Sequence, residues 1–503
     1  MTFENNKFKY HLNMSISMVL EVPKVEDVLK GLSSDTRLLI IESLRDYPKS
    51  AIEVFNDVSD NAGVKNRETA YRALERLVEI KILEKKYDLS RKKFLYSIKN
   101  NTITLNLLSD EVHFQNKRDK TIERIDTENV DISFSNVPQF ERTKHVHGLH
   151  PYQGKFIPQL VDYLIKKNKF SNKDVILDPF MGSGTTLIEC KLRHIDCVGI
   201  EISEFNCLLA KVKVNNYNLN KLKDEINNFE QKAKKIDYSK KIDASEYLAM
   251  WFSEKSQKEL LHMVNVIKNN NYKYADVLKI IVSRIARSAR LMPHYSLEWA
   301  KKPAKVPYYC HKHSRTCYPT ENAVKFLHRY CLDSFKRIQQ RHEIETSLNK
   351  FLDNGRTFED INVHIFSEDS RKFKIPVENI SGVIASPPYL GIIDYHDQHK
   401  YAYDLFGFKW KFDEEIGPKS NGGGIKAREQ YKEDMTKVFE NLHDNIRDDA
   451  IVNVVIGDRL NMYPDIFDKS SFKILKVLER PVIKRTSLRA PTFSEKVYIT
   501  VKK

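Results

Sequence analysis

The chain has 503 residues, of which 41% are hydrophobic, and it carries a formal net charge of +15. This length predicts two to four domains with ordinary cores. No apolar run reaches the roughly 18 residues of a transmembrane helix, and the N-terminus lacks a signal-peptide pattern, so we expect a soluble cytoplasmic protein without a membrane partner. Six cysteines in so long a chain do not predict a disulfide framework. The positive charge favours a polyanionic partner.

Residues 23–100 combine short helices with a hairpin, after a poorly patterned lead-in at 1–22. Capping residues at Asp35, Ser50 and Asn66 predict three helices, and alternation at 82–87 and 93–98 predicts a hairpin. This order is similar to a winged helix-turn-helix. Residues 65–99 hold eleven Lys and Arg against five Asp and Glu, which suits contact with phosphates. The candidate nucleic-acid-binding residues on the third helix are Arg67, Thr69, Arg72 and Arg76. Protein contact or dimerisation is the alternative use of this domain.

A polar stretch at 101–141 is predicted to be a linker, and 142–503 a catalytic domain. Its first buried strand, 175–177, breaks into a Gly-rich turn that opens a helix. Gly182 and Gly184 permit backbone geometries that a side chain would obstruct, which is typical of a cofactor loop. The candidate binding residues in this loop are Asp178, Pro179, Phe180, Gly182, Ser183, Gly184, Thr185 and Thr186. The next strand, 197–201, ends in Glu201, where a carboxylate grips the ribose hydroxyls of a nucleotide cofactor.

A mostly helical insertion is predicted at about 215–362. Between residues 284 and 330 it holds ten Lys and Arg, two acids and seven interleaved aromatic residues. This composition suits a surface that follows a nucleic-acid backbone and stacks unpaired bases. The candidate contacts are Arg287, Arg290, Lys301 and Lys302. The alternative is a helical insertion whose aromatic side chains pack in its own core.

Two cysteines and two histidines lie between Cys310 and Cys317. They lack the usual C-x2-C spacing, so a tetrahedral zinc site would need Cys331 or His328 in addition. No metal is predicted.

Two further strands are predicted. Asp369 follows the strand at 362–366, and a Ser-Pro-Pro-Tyr tetrapeptide follows the strand at 382–385. In an open α/β sheet, ligands bind at the carboxyl ends of the strands. Two consecutive prolines lack N–H donors and fix φ, so the neighbouring carbonyl groups are rigid acceptors. Rigid acceptors beside an aromatic ring suit the exocyclic amine of a base. The candidate catalytic residues are Ser386, Pro387, Pro388 and Tyr389.

The segments Phe180-Met-Gly-Ser-Gly184 and Ser386-Pro-Pro-Tyr389 resemble the FxGxG and [D/N/S]PP[Y/F/W] hallmarks of S-adenosylmethionine-dependent amino-methyltransferases of DNA. The resemblance covers roughly residues 145–503. It implies a Rossmann-like class I α/β sheet, S-adenosyl-L-methionine as cofactor and double-stranded DNA as partner, and it allows a cognate restriction endonuclease.

The same resemblance assigns further roles. It implies that Lys155 and Phe156 border the methionine part of the cofactor, and that Asp369, or Glu368 in its place, binds the adenine amine. Serine at the head of the tetrapeptide is typical of enzymes that methylate the N4 amine of cytosine, so the resemblance implies site-specific cytosine-N4 methylation.

Three alternatives stay open at the level of sequence. The first is methylation of the N6 amine of adenine in DNA, since the head residue is a statistical indicator. The second is an RNA guanine amino-methyltransferase, although that group typically has Asp at the head of its tetrapeptide. The third is a winged-helix regulator with an inactive methyltransferase domain. The methylated nucleoside distinguishes the enzymes, and failure to bind the cofactor would favour the regulator.

Overall fold

The computed structural model describes residues 25–44, 48–59, 66–88, 93–99, 102–106, 111–115, 132–152, 154, 157–294, 302–349, 357–482 and 493–503. The chain divides into two units, Met1–Arg124 and Ile125–Lys503. The predictions for Lys155, Phe156 and Lys301 lie outside the described residues. None of the described helices is long and apolar enough to cross a membrane.

The first unit contains short helices followed by two hairpins. Its elements are α1 (Val25–Leu32), α2 (Asp35–Ser43), α3 (Ala51–Val58), α4 (Arg67–Glu79), β1 (Leu83–Asp88), β2 (Lys93–Ile98), β3 (Thr102–Asn106) and β4 (Glu111–Gln115). The order of helices and first hairpin is as predicted, with α1 added in front. Its small core contains Ile40, Val54, Leu74 and Tyr96. The assignment to the winged helix-turn-helix class stays a prediction.

Local capping explains where two of these helices begin. Ser50 forms a capping box with Glu53, because each side chain accepts from the other residue's backbone N–H. Asn66 accepts from the Thr69 N–H at the start of α4. The stretch at 101–141 differs from the predicted linker. It contains the antiparallel β3–β4 hairpin, and its residue Ile132 is buried in the core of the second unit.

The second unit begins with helices and strands that alternate. They are α5 (Gln139–Arg142), α6 (Pro158–Lys167), β5 (Val175–Asp178), α7 (Thr185–Lys191), β6 (Asp196–Ile200) and α8 (Glu204–Val214). The insertion follows, with α9 (Leu219–Ala233), α10 (Glu246–Trp251), α11 (Glu254–Lys268), α12 (Ala275–Ala289), β7 (Tyr308–Cys310), β8 (Arg315–Cys317) and α13 (Leu327–Asn349). The insertion is therefore mostly helical, as predicted, and it also holds a short hairpin.

The remaining elements complete the sheet of this unit. They are β9 (Val363–Phe366), β10 (Ile380–Ala385), α14 (Lys400–Phe406), α15 (Ile425–Asn445), β11 (Ile451–Ile456), α16 (Tyr463–Lys469), β12 (Phe472–Val482) and β13 (Phe493–Lys502). The seven strands lie in the order β12-β13-β11-β10-β5-β6-β9. Strand β13 is antiparallel to both β11 and β12, and the other neighbours are parallel.

The strand order reverses between β5 and β10. From β5 the chain builds outward to β6 and β9, and then returns to the other side of β5 to form β10 and β11. Such a reversal opens a crevice at the carboxyl ends of the central strands, where ligands bind in this class of sheet. The predicted Rossmann-like α/β sheet is confirmed, and the Gly-rich turn and the tetrapeptide both lie at this crevice.

Candidate functional site

A cavity lies beyond the carboxyl ends of β5, β6 and β10. The residues that line it are Tyr152, Gly154, Pro179, Phe180, Met181, Gly182, Ser183, Thr185, Ile200, Glu201, Ile202, Asp369, Ser370, Ser386, Pro388, Tyr395, Glu414, Glu415 and Ile416. The structure thus brings most of the predicted cofactor loop, Glu201, Asp369 and two members of the tetrapeptide around one space.

The Gly-rich turn is held by the buried carboxylate of Asp178. Its two oxygens accept from the Phe180 N–H at 3.0 Å and the Thr186 hydroxyl at 2.6 Å. Burial raises the pKa of Asp178 to about 7. Asp178, Gly184 and Thr186 are not among the lining residues. The Asp178 carboxylate therefore shapes the turn, and its contact with a ligand stays a prediction, since each carboxylate oxygen can accept a further hydrogen bond.

Two glycines of the turn combine a positive φ with a close neighbour. Gly182 has a φ of +48°, and a Cβ atom there would lie 2.9 Å from the Tyr152 hydroxyl. Gly184 has a φ of +78°, and a Cβ atom there would lie 2.9 Å from the Cβ of Ala210. Side chains rarely adopt positive φ. A larger residue at either position would strain the backbone and push the turn away from its neighbours.

Glu201 lies where β6 ends, as predicted, and its carboxylate faces the cavity. One oxygen accepts from the Ser203 N–H at 2.9 Å, which fixes the side chain. Burial raises the pKa of Glu201 above its ordinary value. A buried, fixed carboxylate at this place can accept from a pair of hydroxyl groups.

Asp369 also lines the cavity, but it has a cationic partner that the sequence did not reveal. The Arg371 guanidinium donates to both carboxylate oxygens, with its terminal nitrogen 2.8 Å from Oδ2. Arg371 also donates to Asp434 and to the backbone carbonyl of Glu414. Glu368, the substitute considered from the sequence, is exposed. Asp369 therefore holds one wall of the cavity together in addition to facing it.

The Ser-Pro-Pro-Tyr segment turns its first residues to the cavity. Ser386 and Pro388 line it, Pro387 is buried and Tyr389 is half-buried. Tyr431 donates to the Pro388 carbonyl at 2.8 Å. Among the described residues, no hydrogen bond reaches the Ser386 hydroxyl or the carbonyl oxygens of Ser386 and Pro387. These acceptors are available to a ligand.

The Tyr389 side chain is held by a hydrogen bond to strand β13. Its hydroxyl donates to Glu495 Oε1 at 2.7 Å, and Glu495 forms a buried ion pair with Arg480. Burial, together with the Glu495 charge, raises the pKa of Tyr389 well above its ordinary range, so the hydroxyl stays a donor. The ring is therefore held in one orientation directly after the two prolines.

Sequence reasoning gave no role to Tyr152 or Glu415, whereas the polar loop at 391–399, expected from the sequence to line the target pocket, supplies Tyr395 to the cavity. The Glu415 carboxylate accepts from the backbone N–H groups of Tyr395 and His396 at 3.0 and 2.6 Å, and it pairs with the His396 ring. It thereby fixes the loop that follows the tetrapeptide. Tyr152 belongs to a His-Pro-Tyr segment that stands out in the sequence, whereas no local pattern marks Glu415.

A second, wider cleft adjoins the cavity and shares Tyr152 with it. Its walls come from α10, α12 and the loop before α14, and include Trp251, Arg287, Arg290, Asp394, Asp397, Gln398, Lys400 and Lys419. Arg287 is half-buried in this wall, and its contact with nucleic acid stays a prediction. Arg290 is buried, and its guanidinium lies over the Tyr401 ring at 5.0 Å, so it supports the cleft wall. Lys302 is exposed but does not line this cleft.

The predicted face of α4 lies in the first unit. Arg67, Thr69 and Arg72 are exposed. The Thr69 hydroxyl donates to Asn66 and supports the helix cap, and Arg72 pairs with Glu68. Arg76 is half-buried between Asp27 and Glu79, so its charge is largely compensated within the unit.

Comparisons with known proteins agree with this geometry. A sequence model of the N6/N4 DNA methylase family matches residues 52–212. The type II methyltransferase M.MjaII of Methanocaldococcus jannaschii is 34% identical over 438 residues, which cover 73% of this chain and 82% of that protein. M.BsoBI of Geobacillus stearothermophilus, another type II methyltransferase, is 27% identical over 292 residues, or 53% of each chain.

Solved structures add little to these sequence relations. TrmN from Thermus thermophilus aligns with 70% of this chain and 50% of its own, at 9% identity and a TM-score of 0.27. That score is too low to support a shared fold by itself.

We expect Glu201→Gln to make the ligand-free protein more stable at neutral pH. The raised pKa of Glu201 means that the unfolded chain releases this proton at a lower pH than the folded protein. As the pH rises from the ordinary value of 4.5 through the raised one, the folded protein therefore loses stability relative to the unfolded chain. Glutamine does not titrate, and its amide oxygen can still accept from Ser203.

Thermal unfolding as a function of pH measures this effect. The melting temperature of Glu201→Gln should exceed that of wild type at pH values above the raised pKa, and the difference should shrink in acid. The exposed Glu429 offers the matched control, Glu429→Gln, which should show no such trend. A Glu201→Gln protein that is less stable than wild type at neutral pH would refute the assignment of Glu201 as a strained carboxylate.

Proposed function

The chain belongs to the family of type II DNA methyltransferases, and we propose that it transfers a methyl group from S-adenosylmethionine to the N4 amine of cytosine in DNA. The observation that carries the proposal is the position of Ser386. Its hydroxyl and carbonyl acceptors share a cavity with the Gly-rich turn and Glu201, so an amine and a nucleotide cofactor can meet there. Serine at the head of the tetrapeptide is the reason for favouring cytosine.

The residues that line the cavity suit S-adenosylmethionine in their chemistry. Glu201 is a buried carboxylate that suits the two ribose hydroxyls, and Gly182 lets the Tyr152 ring approach the turn where a Cβ atom would collide with it. Asp369 faces the cavity and suits the adenine amine. Lys155 and Phe156 are proposed to border the methionine part, as the family resemblance implies. When bound, the cofactor supplies an electrophilic methyl group on its sulfonium.

The protein's part in the reaction is to prepare a weak nucleophile. The lone pair of an aromatic amine is delocalised into the ring, so the amine must be held in a geometry that returns electron density to nitrogen. The Ser386 hydroxyl and the Pro387 carbonyl can accept the two amine hydrogens, and the fixed Tyr389 ring can stack on the base. Positioning of this kind contributes to catalysis without a covalent intermediate.

The target amine is paired inside duplex DNA, so the base must leave the helix, as is general for enzymes that modify bases. The wide cleft that shares Tyr152 with the cavity provides a path for that base. Arg287 in its wall can contact the phosphate backbone. Methylation of the adenine N6 amine, the alternative, would use the same acceptors. The identity of the methylated nucleoside therefore distinguishes the two reactions.

The direct test is to incubate the protein with methyl-labelled S-adenosylmethionine and unmethylated duplex DNA or bulk RNA. Nucleoside mass spectrometry should find N4-methylcytosine in the DNA. The control is Gly182→Val, whose side chain would collide with Tyr152 and abolish labelling. N6-methyladenine would contradict the cytosine assignment, methylguanosine in RNA would contradict the DNA assignment, and no label with either substrate would favour a regulator.

Tyr389 should matter more for activity than Ser386. Stacking of a base on an aromatic ring contributes about 1–3 kcal/mol, so Tyr389→Ala should lower the single-turnover rate about tenfold to hundredfold. Ser386→Ala should lower it less, because the carbonyl acceptors remain. Tyr389→Phe keeps the ring and should retain most of the rate while losing stability, since Glu495 loses a hydrogen bond. Equal rates for wild type and Tyr389→Ala would contradict the proposed stacking of the base on the Tyr389 ring.

We further propose that the first unit is a winged helix-turn-helix domain that contacts DNA through α4. Arg67 is exposed at the start of this helix and lies over the Phe55 ring at 5.9 Å.

Arg67→Gln should weaken duplex binding and reduce the slope of log affinity against log salt by about 1. Lys30→Gln on α1 removes the same charge and should leave the slope unchanged. Fluorescence anisotropy at about 50–200 mM salt measures both, and identical slopes would argue against contact through α4.

A further inference from the structure

Four potential metal ligands converge in the insertion. The ligand atoms of His294, Cys310, His313 and Cys317 all lie within 4.8 Å of one another. His313 Nδ1 is 3.6 Å from the Cys310 sulfur and 3.4 Å from the Cys317 sulfur. A tetrahedral zinc ion, with bonds of about 2.3 Å to sulfur and about 2.0 Å to nitrogen, holds its ligand atoms about 3.5 Å apart. The two distances from His313 to the sulfurs match such a shell.

The fold brings these residues together from two segments. Cys310 ends β7 and Cys317 ends β8, while His313 lies in the turn between these paired strands. His294 follows α12, and its backbone N–H donates to the Tyr308 hydroxyl at 3.0 Å. The His294 and His313 rings are 4.9 Å apart. The hairpin therefore supplies three ligands and the chain leaving α12 supplies the fourth.

Ordinary packing does not account for this cluster. Both thiols are buried and free of disulfides, and each contacts a histidine nitrogen. His294 Nδ1 is buried and has no hydrogen-bond partner among the described residues, which costs free energy unless something satisfies it. A cation at the centre of the four groups would use this nitrogen.

We propose that His294, Cys310, His313 and Cys317 bind one structural zinc ion. Two thiolates and two imidazoles form a closed four-ligand shell, which is the arrangement of structural rather than catalytic zinc. Binding converts both thiols to thiolates and releases their two protons to solvent. The ligands differ from those that the sequence suggested, since Cys331 is buried in the helical core and His328 Nδ1 contacts Glu230 at 3.0 Å.

The ion would hold the β7–β8 hairpin against the end of α12. Arg287 on α12 lines the wide cleft, and Tyr309, Arg315 and Tyr318 on the hairpin are exposed. If the proposed function holds, zinc would fix the orientation of these side chains toward DNA. The zinc site itself does not depend on that function, because it rests on the ligand geometry alone.

Metal analysis of the untagged full-length protein tests the site. Inductively coupled plasma mass spectrometry should find about one zinc per chain. Cys317→Ser and His313→Ala should each lose most of it. His311→Ala is the matched control, because His311 is a histidine of the same turn that lies outside the cluster, and it should keep its zinc. Unchanged zinc in His313→Ala, or iron in place of zinc, would overturn the proposal.

Cobalt substitution keeps the test decisive if a ligand variant fails to fold. Wild type stripped by a chelator and reloaded with Co²⁺ should show the visible bands of tetrahedral cobalt and thiolate charge transfer in the near ultraviolet. Absence of both, together with less than about a tenth of a zinc per chain, would exclude this site. Neither measurement requires methyl transfer. Failure of the proposed function can therefore be distinguished from failure of the zinc proposal.

Discussion

The parallel hydrogen bonding of β5 to β10 is the constraint on which the site depends. Leu177 lies opposite Val383 in this pair, so the segments that follow the two strands emerge at the same edge. One segment is the Gly-rich turn and the other is the Ser-Pro-Pro-Tyr tetrapeptide, although the whole insertion separates them in sequence. The reversal of strand order at this pair leaves the crevice between them open.

Buried polar contacts then fix the loops around that crevice. Asp178 closes the Gly-rich turn, Glu415 holds the loop after the tetrapeptide, and Glu495 holds the Tyr389 hydroxyl. Buried polar groups of this kind are costly to leave unsatisfied, so each loop has few alternatives. Burial also raises the pKa of Glu201. The ionised carboxylate of Glu201, which faces the cavity, therefore lowers the stability of the folded protein.

The insertion contributes the second wall of the reaction space. Helix α12 supplies Arg287 to the wide cleft, and the cluster that includes His294 lies just beyond the end of this helix. A metal ion there would join the hairpin to the helix without a large hydrophobic core. Tyr152 belongs to both the cavity and the cleft, so the two spaces adjoin at this residue.

The sequence by itself determined where the strands lie along the chain, the Gly-rich turn, the acid after β6 and the tetrapeptide. Each depends on neighbouring residues, through apolar runs, backbone freedom at glycine and its restriction at proline. It could not reveal Glu415, the Arg371 partner of Asp369 or the inclusion of His294 in the cysteine cluster. Nor could it show that Asp178 accepts hydrogen bonds within the turn or that Arg290 lies over the Tyr401 ring. Only the tertiary structure decided these points, because burial and pairing depend on which distant segments meet.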